Sequence, residues 1–187
     1  MKPIGRSLAR GGVSPDVVTV CGVILQVIAS ALIIDGRLLV AGLVATAAGL
    51  ADVADGAVAK ARGRAGRWGA FLDSTTDRLS DALMFGSIAW LYGVDPDVAA
   101  RDEPWVAAIA LGTLVASFLV SYAKARAESL GYECNVGIAE RAERLIIVIL
   151  GLLLDIVPVA LIVLAVLAVV TLFQRIVHVR RQADRDL

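Results

Sequence analysis

Long apolar runs separated by short polar segments dominate this chain. Three of the runs carry no charged residue over 18 or 19 positions: 17–34, 105–123 and 156–174. A helix of that length extends about 27–29 Å, which matches a hydrocarbon core of about 30 Å. Three further apolar segments, at 38–54, 82–94 and 145–154, are shorter or hold a charge. The pattern predicts six membrane-spanning helices, near 16–34, 38–60, 69–93, 104–127, 139–154 and 157–180.

Composition supports a membrane protein. Hydrophobic residues make up 58% of the 187 positions and charged residues 19%, whereas soluble domains average about 45–50% and about 25%. This excludes a disordered chain, a secreted disulfide scaffold and a soluble nucleic-acid-binding protein. Two cysteines and one histidine indicate neither a disulfide framework nor a zinc site. We expect one all-α membrane domain over residues 1–187, with no nucleic-acid partner.

The distribution of basic residues predicts the orientation of the six helices. Fifteen of the 18 Lys and Arg residues lie at the N-terminus, in the 60–68 loop, in the 124–144 segment or at the C-terminus. The six-span topology places all four of these segments on one side of the membrane. Because cytoplasmic loops are enriched in Lys and Arg, we expect both termini to be cytoplasmic.

Four carboxylates near the cytoplasmic edge are the most informative residues. Asp52 and Asp55 lie near the end of the second predicted span, and Asp73 and Asp77 near the start of the third. Spacings of three and four place each pair on one helical face. A charged group inside a membrane costs about 2.5–3.5 kcal/mol on insertion scales and is usually functional. We expect the two pairs to face each other at one depth.

Such a cluster favours divalent cations and an anionic ligand. Crowded carboxylates repel and take up protons unless cations lie between them, and all-oxygen ligands favour Mg²⁺, Mn²⁺ or Ca²⁺ over zinc. Gly56 and Gly69 let a ligand approach the backbone, and the loop between them is basic. These features together predict a pyrophosphate site. The alternatives are a solvated acidic cluster without a role and a divalent-cation transporter, although a transporter predicts acidic residues spread through the membrane depth.

The spacing of these residues resembles a family signature. From Asp52 to Asp77 the chain follows the pattern D-x2-D-G-x2-A-K-x8-G-x3-D-x3-D. This is similar to the motif of the CDP-alcohol phosphotransferases, except that Lys60 stands where the family has Arg. The resemblance implies a dimeric membrane enzyme that uses two Mg or Mn ions. Such enzymes displace CMP from a CDP-linked lipid with an alcohol.

The resemblance also implies roles for individual residues. Asp52, Asp55 and Asp73 would ligate metal, and Asp77 would ligate metal or act as the base that deprotonates the attacking hydroxyl. The CDP group would contact Gly56, Lys60, Gly66 and an N-terminal element that includes Pro15, Asp16, Val17 and Val18. A plain helix start is the alternative for that element. Lys60 offers a point charge without the guanidinium fork, so we expect weaker nucleotide binding.

The remaining cations suggest an acceptor that carries its own phosphate. We expect the cations around the cleft to be Lys124, Arg141, Arg144 and Arg180. The alternative is that they only meet lipid headgroups. The segments 121–128 and 137–145 resemble the actinobacterial phosphatidylinositol-phosphate synthases, which implies CDP-diacylglycerol and 1D-myo-inositol 3-phosphate as substrates. It also implies a bacterial plasma membrane with the active site facing the cytoplasm. Phosphatidylglycerophosphate synthases, which take glycerol 3-phosphate, share the core motif and remain an alternative.

Overall fold

The computed structural model describes residues 15–61, 66–96 and 103–185, with side chains for 17–52, 66–96 and 103–185. Within these ranges the chain forms six helices: α1 (Pro15–Ile34), α2 (Leu38–Ala61), α3 (Arg67–Val94), α4 (Pro104–Ser129), α5 (Arg141–Leu153) and α6 (Val157–Ala183). The prediction of an all-helical protein is confirmed. Every helix begins and ends within three residues of its predicted bounds.

Local chemistry explains where several helices begin and end. Pro104 and Pro158 lie in the first turns of α4 and α6, where a helix needs no N–H donor and a fixed φ is favourable. Gly36, between α1 and α2, has a φ of 72°, and Asp155, between α5 and α6, has a φ of 55°. Both connections are short, so each helix pair is antiparallel.

Three helices are long and apolar enough to cross a membrane. These are α4, α6 and the segment Val17–Ile34 of α1, while Leu38–Asp52 forms a shorter apolar segment of α2. Many of their exposed side chains are large and apolar, including Ile24, Val115 and Phe173. At 13 residues α5 is shorter and extends about 20 Å.

The chain divides into two compact units, Met1–Ser87 and Ile88–Leu187, and the division falls inside α3. In the first unit, α1 packs against α2. Ala41, Ala45 and Ala48 of α2 are buried, as are Ala29 and Ile33 of α1. Small side chains at such a contact let two helix backbones approach closely, which gains van der Waals energy in a membrane.

In the second unit, α6 packs against both α4 and α5. Its buried residues include Leu161, Leu164, Ala168, Thr171 and Arg175. Their spacing of three and four residues defines one helical face. The last two are polar, and both make hydrogen bonds on this face.

The segment 130–140, which we name the α4–α5 connection, is fixed to the end of α6 by hydrogen bonds. The amide side chain of Gln182 accepts a bond from the Glu133 N–H at 3.0 Å and donates one to the Glu133 carbonyl at 2.6 Å. Nearer the middle of α6, the Ala139 N–H donates to Thr171 Oγ1 at 3.2 Å. Cys134 and Ala139 are fully buried. This segment therefore has a fixed place although it has no regular secondary structure.

We expect Gly151→Ala to destabilise the second unit. A Cβ at position 151 of α5 would lie 2.6 Å from the Ala160 Cβ of α6, and overpacking of this kind costs about 1–3 kcal/mol. The control is Gly112→Ala in α4, where a Cβ meets no described atom within 4 Å and helix propensity favours alanine. Thermal unfolding in detergent should give a lower Tm for Gly151→Ala only. An unchanged Tm would contradict this packing.

Candidate active site

Three carboxylates from two helices meet in the first unit. Asp52 of α2 and Asp73 and Asp77 of α3 each offer one carboxylate oxygen, and these oxygens lie within 4.8 Å of one another. Asp52 and Asp77 are half-buried, and Asp73 is exposed. The structure thus brings together three of the four predicted residues. The Asp55 side chain lies outside the described part of the chain.

Helix geometry explains why the two carboxylates of α3 share a face. Asp73 and Asp77 are four residues apart, so their side chains lie about one turn, or about 6 Å, apart along the helix. The hydroxyls of Ser74 and Thr75 lie between them in sequence, and both donate to the Phe71 carbonyl, at 2.9 and 2.8 Å. These two hydroxyl protons therefore bind the helix backbone and not the neighbouring carboxylates.

A cation lies beside the acidic cluster. Nη1 of Arg78 is 3.7 Å from a carboxylate oxygen of Asp77 and also donates to the Ser74 carbonyl. The Asp77 side chain is only 16% exposed, so water screens its charge less than it would on an open surface. Arg78 offsets part of the negative charge of the cluster and orients one face of the Asp77 carboxylate.

The donor set suits a hard divalent cation. Ligand oxygens around Mg²⁺, Mn²⁺ or Ca²⁺ lie about 2.0–2.6 Å from the ion, so oxygens on opposite sides are about 4–5 Å apart. The 4.8 Å spread of the three carboxylate oxygens falls in this range. In the described residues of the cluster the ligands are oxygens only, which disfavours zinc. The residues present therefore fit the metal that the sequence motif implies.

The predicted nucleotide-binding residues are described only in part. Pro15 is the first residue of α1, where proline is favoured in any helix. Val17 is exposed, Val18 is half-buried, and Gly66 is exposed directly before α3. The side chains of Asp16 and Lys60 and the contacts of Gly56 lie outside the described part of the chain. The contacts of the nucleotide-binding residues stay a prediction.

The predicted acceptor cations lie in the second unit, in unlike surroundings. Lys124 pairs with Glu128 at 3.9 Å, and Arg180 pairs with Asp184 at 3.8 Å. Exposed pairs of this kind are worth little, so a ligand can exchange for them. Arg141 is the first residue of α5. Arg144, the fourth predicted cation, is 4% exposed. It donates a long hydrogen bond, 3.4 Å, to the Ala139 carbonyl.

One buried cation was not among the predicted site residues. Arg175 is 4% exposed, and its guanidinium donates to the Val136 carbonyl at 3.0 Å and to the Val120 carbonyl at 2.6 Å. It thereby joins α4, the α4–α5 connection and α6. The signal in the sequence is its spacing of four from Thr171 and seven from Ala168, which places it on the buried face rather than among the basic residues of the C-terminus.

The profile of the CDP-alcohol phosphatidyltransferase family matches residues 12–174. The chain belongs to this family. The resemblance inferred from the spacing of Asp52 to Asp77 is confirmed, and the protein is an enzyme of the CDP-alcohol phosphatidyltransferase type. With three long apolar helices, it is a multi-pass membrane protein.

Named relatives cover nearly the whole chain. The phosphatidylinositol phosphate synthase of Mycolicibacterium smegmatis is 39% identical over 191 residues, which cover 96% of this chain and 83% of the relative. The archaetidylinositol phosphate synthase of Pyrococcus horikoshii is 32% identical over 185 residues, which cover 98% and 93%. This CDP-alcohol phosphatidyltransferase is therefore similar to enzymes named for inositol phosphate lipids in both bacteria and archaea.

Solved structures of the Mycobacterium tuberculosis phosphatidylinositol phosphate synthase share the fold. The structure with CDP-DAG bound has a TM-score of 0.83 at 38% identity, covering 95% of this chain and 92% of that one. The structure in complex with manganese and citrate has a TM-score of 0.84 at 38% identity, covering 95% and 88%. A related protein of the same fold thus holds manganese.

We expect Asp73→Asn to weaken Mn²⁺ binding by roughly tenfold or more, because the amide keeps an oxygen but loses the charge that attracts the ion. The concentration of free Mn²⁺, followed by electron paramagnetic resonance, measures the affinity. Glu128→Gln, an exposed carboxylate change on α4, is the matched control. Equal Mn²⁺ affinity in both variants would show that the acidic cluster is not the metal site.

Proposed function

We propose that this enzyme is a phosphatidylinositol phosphate synthase. It transfers the phosphatidyl group of CDP-diacylglycerol to 1D-myo-inositol 3-phosphate and releases CMP. The observation that carries this proposal is the convergence of Asp52, Asp73 and Asp77 within 4.8 Å, in a chain 39% identical over 191 residues to a relative of that name. The similarity to an archaetidylinositol phosphate synthase supports the same class of acceptor.

The proposed topology has six spans with both termini in the cytoplasm of a bacterial cell. The distribution of the basic residues supports it, because fifteen of 18 fall on one side. The acidic cluster then lies at the cytoplasmic edge, where water-soluble acceptor and CMP exchange while the lipid tails stay in the bilayer. A homodimer, as the family resemblance implies, is part of the proposal.

Two divalent cations, Mg²⁺ or Mn²⁺, are the proposed cofactors. Asp52, Asp55, Asp73 and Asp77 would hold them, and the oxygen-only donor set of the described carboxylates supports this assignment. When bound, such ions neutralise charge on the pyrophosphate and on the leaving group. Phosphoryl transfer depends mainly on this neutralisation and on alignment of the nucleophile, since little covalent chemistry is left to the protein.

Asp77 is the proposed base. Its carboxylate accepts the proton of the attacking inositol hydroxyl, whose oxygen forms a bond to the β-phosphorus of CDP-diacylglycerol. The bond from that phosphorus to the bridging oxygen breaks, and CMP leaves with the electron pair. The low exposure of Asp77 and the neighbouring Arg78 guanidinium at 3.7 Å support the role, because both restrict the directions from which a hydroxyl reaches the carboxylate.

Cations and backbone groups would bind the remainder of the two substrates. The proposed contacts of the CDP group are Gly56, Lys60, Gly66 and the α1 residues Pro15, Asp16, Val17 and Val18. Those of the acceptor phosphate are Lys124, Arg141, Arg144 and Arg180. Two of the latter, Lys124 and Arg180, make solvent-accessible ion pairs, which a doubly charged phosphate can displace.

We expect purified enzyme with Mn²⁺ and CDP-diacylglycerol to release CMP with 1D-myo-inositol 3-phosphate and not with unphosphorylated inositol. The proposed acceptor contacts are basic and would favour a phosphate, which inositol lacks. Glycerol 3-phosphate is the competing acceptor. Turnover with glycerol 3-phosphate but none with inositol phosphate would contradict the proposed substrate and leave the reaction class intact. Metal flux into liposomes without CDP-lipid would favour a transporter.

Replacing Asp77 with Asn should lower kcat by about 10²–10⁴-fold, the usual contribution of a general base. CMP release under saturating acceptor gives the measurement. Asp35→Asn, at the exposed turn between α1 and α2 where Asp35 pairs with Arg37, makes the same chemical change away from the cluster and should keep full activity. Full turnover in Asp77→Asn would remove the base assignment.

A further inference from the structure

A groove of about 740 Å³ lies in the second unit, between the later turns of α6 and the α4–α5 connection. Its volume is in the range of sites that bind small molecules, about 300–1,000 Å³. Its lining is apolar along most of its length apart from Gln174, with Ile138, Val170, Phe173 and Val177, and it ends at His178 and Arg181. None of them belongs to the acidic cluster or to the proposed substrate-binding residues.

The groove occupies a separate face of α6. Its helical residues Val170, Phe173, Val177 and Arg181 follow each other at spacings of three and four, so they share one face. Thr171 and Arg175 belong to the buried face that packs against α4 and α5. Phe173 is 63% exposed. The groove therefore lies on the side of α6 that does not pack against α4 or α5.

The basic side chains of the groove lie at one end of it. Val170 and Phe173 are apolar, and Arg181 lies eleven residues after Val170, or about 16 Å farther along the helix axis. Because α6 is long and apolar enough to cross a membrane, its basic end is at headgroup depth and its apolar part is in the hydrocarbon. The groove thus extends from the acyl region of a bilayer to its phosphate region.

The wall opposite α6 is preformed. Arg175 Nε binds the Val136 carbonyl at 3.0 Å, and the Ala139 N–H binds Thr171, so both ends of the 136–139 segment are fixed. Gly137 has a φ of 141°, and a Cβ there would lie 2.5 Å from Cγ2 of Thr171. Only glycine allows this approach. Ile138 is left 58% exposed at the edge of the wall.

The charge at the polar end is available to an anion. In the part of the chain that the structure describes, no carboxylate lies within ion-pair distance of Arg181, whereas the adjacent Arg180 pairs with Asp184 at 3.8 Å. His178 lies one turn before Arg181 on α6 and also lines the groove. A guanidinium and an imidazole at one end of an apolar groove match a phosphate that carries an alkyl chain.

We propose that this groove binds an anionic phospholipid of the surrounding membrane. An acyl chain lies along Val170, Phe173 and Val177, and the headgroup phosphate accepts hydrogen bonds from Arg181 and His178. The inference does not rest on the proposed reaction, because none of the groove residues belongs to the acidic cluster or to the proposed substrate contacts. It assigns a lipid-binding site that uses none of the residues proposed to bind the CDP-linked lipid.

The test uses the full chain purified in a non-ionic detergent and incubated with equal amounts of phosphatidylglycerol and phosphatidylcholine of the same acyl chains. Native mass spectrometry counts the lipids that stay bound. We expect phosphatidylglycerol to be retained at least fivefold over phosphatidylcholine, and Arg181→Gln to remove that preference. Phe173→Ala should lower retention of both lipids, since it shortens the apolar wall.

Two matched variants separate the groove from the general surface. Arg185→Gln removes a nearby exposed cation and Ile176→Ala an exposed apolar side chain of α6, and neither residue lines the groove; both should retain phosphatidylglycerol as the parent does. Equal retention of the two lipids, or an equal loss in Arg185→Gln, would overturn the proposal. A changed oligomeric state in Phe173→Ala without lipid loss would instead make the groove an interface between copies.

The outcome is distinguishable from failure of the proposed reaction. Phosphatidylglycerol carries no CDP group, and Asp73→Asn should keep its retention while losing Mn²⁺. Inorganic phosphate that displaces the lipid at equal concentration would show that the acyl chain contributes nothing, which also overturns the proposal.

Discussion

Repulsion between carboxylates is the constraint on which the candidate active site of this protein depends. Two unit charges 4 Å apart near a protein surface repel by about 4 kcal/mol, and three carboxylate oxygens lie within 4.8 Å here. The chain opposes this repulsion in part with Arg78. A ligand that brings positive charge would lower this repulsion further. The convergence of carboxylates from α2 and α3 is thus the feature that suits a divalent cation.

A buried guanidinium has the corresponding role in the second unit. Arg175 is nearly inaccessible to water and is stable there because backbone carbonyls of two segments accept its hydrogen bonds. Loss of one such partner leaves a buried charge without compensation, which is far more costly than loss of an exposed ion pair. The second unit therefore concentrates its rigidity at the end of α6, where the α4–α5 connection is attached.

The bounds of the helices could be predicted closely because they follow from local signals. These are the lengths of the apolar runs, Pro104 at the start of α4, and Gly36 and Asp155 in the short connections. The convergence of Asp52 with Asp73 and Asp77 was also predictable, since spacings of three and four fix helical faces and the motif is specific. The spacing of Arg175 from Thr171 points to the buried face, but its hydrogen-bond partners could not be predicted, because they are carbonyl groups 39 and 55 residues away in the chain. Likewise, no pattern of apolar positions predicts a non-helical segment held in place by side chains of α6.

The paired bonds between Gln182 and residue 133 have an evolutionary consequence. Both partners on the connection are main-chain atoms of Glu133, so the amide of Gln182 is insensitive to which side chain stands there. A change of side chain at position 133 keeps both hydrogen bonds to Gln182. Insertion or deletion of a single residue between 133 and 139 would shift the Glu133 bonds out of register with the bond from Ala139 to Thr171. Homologous chains should consequently vary at position 133 and hold the number of residues from 133 to 139 constant.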